Sequence, residues 1–177
     1  MADLRDAFEA KGFRSSQPAT SQPRQGDGGG RGGRQDSGQQ TLQVPDGYPK
    51  YFKGTDSKGQ PCLDPAYVSD LAEKIANQLK NASPKLTRHQ LRAFFDHAKR
   101  QVARVQDGCD FCHVNSEVQK MQAIAASRAT KTSASISTQF LGFITRNVRA
   151  VRTKEDLEKG FVKHFEAVVA FCADAKD

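Results

Sequence analysis

KLTRHQLRAFFDHAKRQVARVQDG, residues Lys85 to Gly108, decides the fold. Leu91, Phe94, Phe95, Ala98, Val102 and Val105 recur three and four residues apart, the period of one helix face. Thr87 stands where an N-cap is needed, and Gln90 three residues on completes a capping box. Gly108 supplies the stop. A capped helix of this length with one apolar stripe must bury that stripe against other elements.

The residues on either side supply the partners. Upstream, Asp64 is a candidate N-cap and Pro65 suits a first helical position. Val68, Leu71, Ala72, Ile75 and Leu79 follow at helical spacing. The helix is expected to stop near Asn81, because Pro84 disfavours helix at Ser83. Downstream, a third helix is expected to start after Asn115 or Ser116 and run through Val118, Met121, Ile124 and Ala125. Ser and Thr residues around 130–138 break the pattern. A fourth helix carries Phe140, Leu141, Ile144, Val148 and Val151. A fifth is capped at Thr153, with Glu155 and Asp156 at the positive end of its dipole. Its stripe is Leu157, Phe161, Phe165, Val168, Val169 and Cys172. No convincing strand is legible in this half. The expectation is an all-α, compact five-helix bundle over residues 62–177 with a disordered N-terminal tail.

That tail reads differently. SSQPATSQPRQGDGGGRGGRQDSGQQ offers almost nothing to bury against the entropy of ordering its backbone, so residues 14–47 are expected to be disordered. The tail is assigned residues 1–47 and a linker residues 48–61. GGGRGGR (Gly28–Arg34) resembles an RGG segment, which binds RNA loosely, but with two arginines it also reads as a plain flexible linker. Residues 3–11 place Leu4, Ala7 and Phe8 on one side of a short helix, for docking or as a frayed terminus. The first residues lack the apolar core of a secretory signal, and their acids argue against a transit peptide. No run approaches the roughly 20 apolar residues that span a bilayer. A cytoplasmic protein with four reduced cysteines is the expectation.

Charge is concentrated in the helical half. The chain carries a net +7. Six basic and six acidic residues cancel within residues 1–47, so the whole excess lies in residues 48–177. Arg88, Arg92 and Lys99 follow one flank of the second helix, and Arg100 and Arg104 the other. Arg146 and Arg149 share the outer face of the fourth helix with Gly142 and Thr145. Lys120, Ser127 and Lys131 share an edge of the third. Dense like charge suits a phosphate backbone, although a solvated face or acidic protein surfaces would also accept it. Arg128 falls on the apolar face of the third helix and needs to snorkel, reach a ligand or pair, with Glu166 a possible partner.

No catalytic constellation stands out. His89 and His97 are placed on the polar side of the second helix and His164 in packing. Cys109-Asp110-Phe111-Cys112-His113 spells C-x-x-C-H, the attachment pattern of c-type haem. The same residues would give zinc three ligands, with Cys62 or Cys172 as a distant fourth. Without an export signal or a second cysteine pair, ordinary loop thiols and no cofactor are expected. A haem- or metal-binding helical protein is the alternative reading.

Three blocks also resemble a known family. KLTRHQLRAFF (Lys85–Phe95) resembles the LTTSQIRKF signature of the small subunit of the type III-A CRISPR effector, the Csm complex. MQAIAASRATK (Met121–Lys131) is similar to that family's KLAYxxGR helix. FLGFITRNVRAVRTKEDLEKGFVKHFEAVVAFC (Phe140–Cys172) is similar to its C-terminal part, where an FxxFFEAIVAY helix closes the chain. Ala125-Ala126 and Ser127 depart from the pattern, and the C-x-x-C-H loop and the tail lie outside it. The resemblance implies a subunit without enzymatic activity. Several copies would stack as an inner filament beside the other subunits, along the path of guide RNA and target RNA, in antiviral defence. Arg92, Arg128 and Lys131 match the family's basic signatures. Together with the charged faces this gives Arg88, Arg92, Lys120, Arg128, Lys131, Arg146 and Arg149 as the expected RNA-binding residues, with no membrane partner.

Overall fold

A computed structural model of the chain describes residues 41–129 and 134–173. The RGG-like segment, the amphipathic stretch 3–11, the tail through residue 40 and Lys131 lie outside the described residues. Five helices carry the fold: α1 (Asp70–Lys80), α2 (Arg88–Gln106), α3 (Phe111–Ala129), α4 (Thr138–Ala150) and α5 (Val162–Cys172). A π-helical turn, Asp156–Phe161, leads into α5. α5 packs on α1 and α2, while α3 packs on α2 and α4. The all-α reading holds, with one small addition: an antiparallel hairpin of β1 (Phe52–Thr55) and β2 (Pro61–Leu63).

Local chemistry explains the helix ends. Thr87 and Gln90 form the capping box reciprocally, the Gln90 amide donating to Thr87 Oγ1 at 3.2 Å and the Thr87 amide to Gln90 Oε1 at 2.9 Å. Gly108 follows α2 with φ +88°, a conformation that costs glycine nothing sterically. The amide of Cys109 then donates to the Arg104 carbonyl at 2.9 Å. Thr153 caps the last helix as expected, its Oγ1 accepting from the Asp156 amide at 3.1 Å. Asp64 caps only a 3₁₀ turn, Pro65–Val68, and α1 begins after Ser69. Val68 therefore leaves the apolar stripe and is 42% exposed. α3 begins at Phe111, about a turn earlier than Asn115 or Ser116, because the Asp110 carbonyl already accepts from the His113 and Val114 amides. The earlier start adds fully buried Val114 to its stripe.

The core is aromatic. Phe94, Phe140, Phe143, Phe161 and Phe165 are all buried, and edge-to-face contacts join Phe94 to Phe140 and Phe143 to Phe165. Onto this core folds a segment whose sequence reads as tail and linker. Leu42 and Tyr51 are each 4% exposed. Gln43 and Gln78 of α1 exchange hydrogen bonds at 2.7 and 2.8 Å. The Tyr51 ring lies over Gly160, where a Cβ would come within 2.6 Å of it.

Beneath this segment runs a buried polar seam. His164 Nδ1 lies 2.6 Å from the Tyr67 carbonyl, which can only accept, so Nδ1 carries the proton. Nε2 is then the acceptor for the Tyr48 hydroxyl at 2.8 Å. Asn147 donates to Tyr48 and to the Phe143 carbonyl, each at 2.7 Å, and its Oδ1 accepts from the Tyr51 hydroxyl at 2.8 Å. Every partner is used, which is what makes a buried polar group tolerable. Burial raises the phenol pKa values of Tyr48 and Tyr51 far above normal and pulls His164 down to about 4. His164 is packed, as its sequence position implies.

His97 is not on a polar surface. It is 3% exposed, with Nε2 3.3 Å from the Glu117 carbonyl of α3. Burial lowers its pKa to about 4; Arg100 and Arg104 push the same way, against the Glu117 contacts. The sequence reading fails there because α3 covers more of α2 than a single apolar stripe requires.

Candidate nucleic-acid interface

Arg88 and Arg92 are one helical turn apart at the start of α2, and both are exposed. That end of α2 meets the end of α5. Arg88 Nη2 donates to the Ala173 carbonyl at 2.6 Å, and Lys80 Nζ to the Phe171 carbonyl at 3.3 Å. Cations at a helix C-terminus satisfy the last carbonyls and oppose the dipole. Arg88 thus has a structural task within the subunit. A groove of about 440 Å³ opens here, with Leu79, Leu86, Leu91 and Val169 as apolar lining and Lys80, Lys85, Arg88 and Arg92 as its charged residues. Among the described residues no acid lines it. Lys80 is the contributor that the sequence reading misses, although a basic residue in the last turn of α1 was a usable signal.

Arg128 belongs to the same end of the bundle. Its carbonyl accepts from the Ser135 amide at 3.0 Å, and the Ser135 carbonyl accepts from Gln90 Nε2 at 3.0 Å. The side chain of Arg128 is half-buried, and burial lowers its pKa. Glu166, suggested as its partner, makes an exposed ion pair with Lys163 at 3.4 Å.

Arg146 and Arg149 lie on the exposed face of α4. Arg149 Nε donates to Gln122 Oε1 of α3 at 3.3 Å, and Gln119 of α3 reaches the Val148 carbonyl at 3.1 Å. Arg146 is close enough to Tyr48 for its charge to favour the phenolate, weakly against burial. Lys120 is exposed on α3 and paired with Glu117 at 2.7 Å. A surface pair of this kind is weak.

The structure therefore groups Arg88, Arg92 and Arg128 at one end of the bundle. Arg146 and Arg149 sit farther along, where α4 meets the middle of α3. The chemistry on offer is positive charge at fixed spacing. Cys109 and Cys112 are exposed, and among the described residues no three His, Cys, Asp or Glu side chains are arranged to hold a metal ion. No described helix is long and apolar enough to cross a membrane.

Comparison with known proteins adds one finding. The family model described as Csm2 Type III-A matches residues 63–175, more than half the chain and all five helices. No curated protein and no solved structure matches.

Proposed function

The chain belongs to the Csm2 Type III-A family, and so is a small subunit of the type III-A Csm complex; on that premise we propose that it is a non-catalytic, cytoplasmic RNA-lining subunit. Copies of it stack beside the other subunits of the complex. Their basic faces run along guide RNA and captured target RNA. The observation that carries this reading is the coincidence of the family match with exposed cations on α2 and α4, Arg92, Arg146 and Arg149 among them. Charges of this kind contact phosphates and sugars, fixing position without reading bases. A single subunit then binds weakly, and stacking raises avidity because each further site is held at high effective concentration. Lys120 and Arg128 extend the proposed track along α3, and Lys131, outside the described residues, belongs to the same proposed set. Arg88 adds to it at the start of α2, beside its hold on α5.

The direct experiment is co-expression of the tagged chain with the other complex subunits and a guide RNA. Native mass spectrometry of the purified assembly is expected to find more than one copy of this chain together with guide RNA. Recovery of the chain alone, or of a complex lacking RNA, contradicts the proposal.

A further inference from the structure

We propose that Cys109 and Cys112 form a reversible redox pair that closes to an intramolecular disulfide when a low-molecular-weight disulfide is present. The four cysteines divide into two classes. Cys109 and Cys112 are exposed, whereas Cys62 and Cys172 are partly buried. Cys172 also sits 4.0 Å from the Ala76 carbonyl, and burial raises its thiol pKa to about 11, which keeps it unreactive. The exposed two are three residues apart, across the joint between α2 and α3. Residues Gln106 to Asp110 are all exposed, so a bridge formed there lies at the surface and displaces no core side chain. Gly108, already at φ +88°, adds conformational freedom next to Cys109. A bridge needs its two Cα atoms within about 7 Å, a limit that residues only three apart at the start of a helix are able to meet.

The chemistry balances without a metal. The thiolate of one cysteine attacks a sulfur of oxidised glutathione, forming a mixed disulfide and releasing one glutathione thiolate. The other cysteine, deprotonated to water, attacks the protein sulfur of that mixed disulfide and expels the second glutathione. Two protein thiols are oxidised to one disulfide, and one glutathione disulfide is reduced to two thiols.

The test uses the full chain equilibrated over a series of oxidised-to-reduced glutathione ratios, quenched by acid and alkylated. A single tryptic peptide, Val105–Lys120, holds both cysteines, so mass spectrometry reads the pair directly. The expected product is that peptide lighter by two hydrogens and refractory to alkylation, reverting on addition of reduced glutathione, while Cys62 and Cys172 alkylate after unfolding. A lasting glutathione adduct, a disulfide between two chains, or an unmodified peptide at every ratio overturns the proposal. Cys109→Ser serves as the control: Cys112 alone then stops at the mixed disulfide, and loss of two hydrogens in that variant would also overturn it.

Discussion

Two buried histidines make this protein's stability depend on pH. His97 and His164 both have folded pKa values lowered to about 4 from an ordinary 6.5, because burial disfavours the imidazolium. Between those values the unfolded chain binds more protons than the folded one, so stability rises with pH across that window. Their contribution is complete above about pH 7, and is lost as pH falls from 6.5 toward 4. Each histidine accounts for on the order of 3 kcal/mol by this linkage. Urea midpoints measured from pH 7.5 to 4.5 are expected to fall steadily below 6.5, and His97→Gln to flatten part of that slope. A midpoint independent of pH down to 5 contradicts both burials. Gly160 makes a second, local prediction. Its missing Cβ admits the Tyr51 ring, and Gly160→Ala places a methyl 2.6 Å from a ring carbon. Overpacking of this kind costs about 1–3 kcal/mol. A lowered urea midpoint is expected; an unchanged one means that Tyr51 does not rest there. Neither position announces itself in the sequence. A glycine inside a helical pattern reads as a weak spot until its neighbour is known, and His97 has a charged residue on either side of its helical neighbourhood, Asp96 and Lys99.

At the scale of elements, apolar period and capping chemistry made the bundle legible. Leu91, Phe94, Phe95 and Ala98 of α2, and Leu157, Phe161, Phe165 and Val168 of the last helix, are all buried as their spacing requires. Thr87→Ala is expected to cost about 1 kcal/mol through the lost capping bond, read as a drop in melting temperature, with Thr87→Ser restoring it. No loss in the alanine variant would mean that the box contributes nothing. What the period could not reveal was the packing of residues 41–63, which have no helical repeat and follow a Gly/Gln-rich run. Leu42, Tyr48 and Tyr51 are spaced as isolated residues; the two tyrosines find distant partners, Asn147 and His164, and Leu42 packs near Gly142, none of which a local pattern links to them. A chain shortened to residues 62–177 strips those partners from two buried polar side chains. Each orphaned group costs about 1–3 kcal/mol, beyond the lost burial of Leu42 and Tyr51. Its melting temperature is expected well below that of the chain starting at residue 41, and equal values would show that the segment does not support the bundle. The candidate site was legible only as faces. Helical geometry put Arg146 and Arg149 outward, but could not show that Arg88 also holds the end of α5, since that contact spans 85 residues.

For the whole molecule, charge is the property that fits its family. The net +7 resides entirely in residues 48–177, and among the described residues every buried polar side-chain atom has a hydrogen-bond partner. Arg92 on α2 and Arg146 and Arg149 on α4 are exposed, and under the proposed function they meet RNA phosphate. Contacts to phosphate carry a signature that solvated charge does not: each one released to salt steepens the fall of log affinity against log salt by roughly 0.7 to 0.9. Arg92, Arg146 and Arg149 are suited to the test because all three are exposed and none lies in the aromatic core. The decisive measurement is target-RNA affinity of the assembled complex at several salt concentrations. It compares the wild-type chain with an Arg92→Ala, Arg146→Ala, Arg149→Ala variant that melts normally and still assembles. The expected result is weaker binding at low salt and a shallower salt slope; equal affinity and equal slope at every salt concentration would contradict the proposed RNA contact.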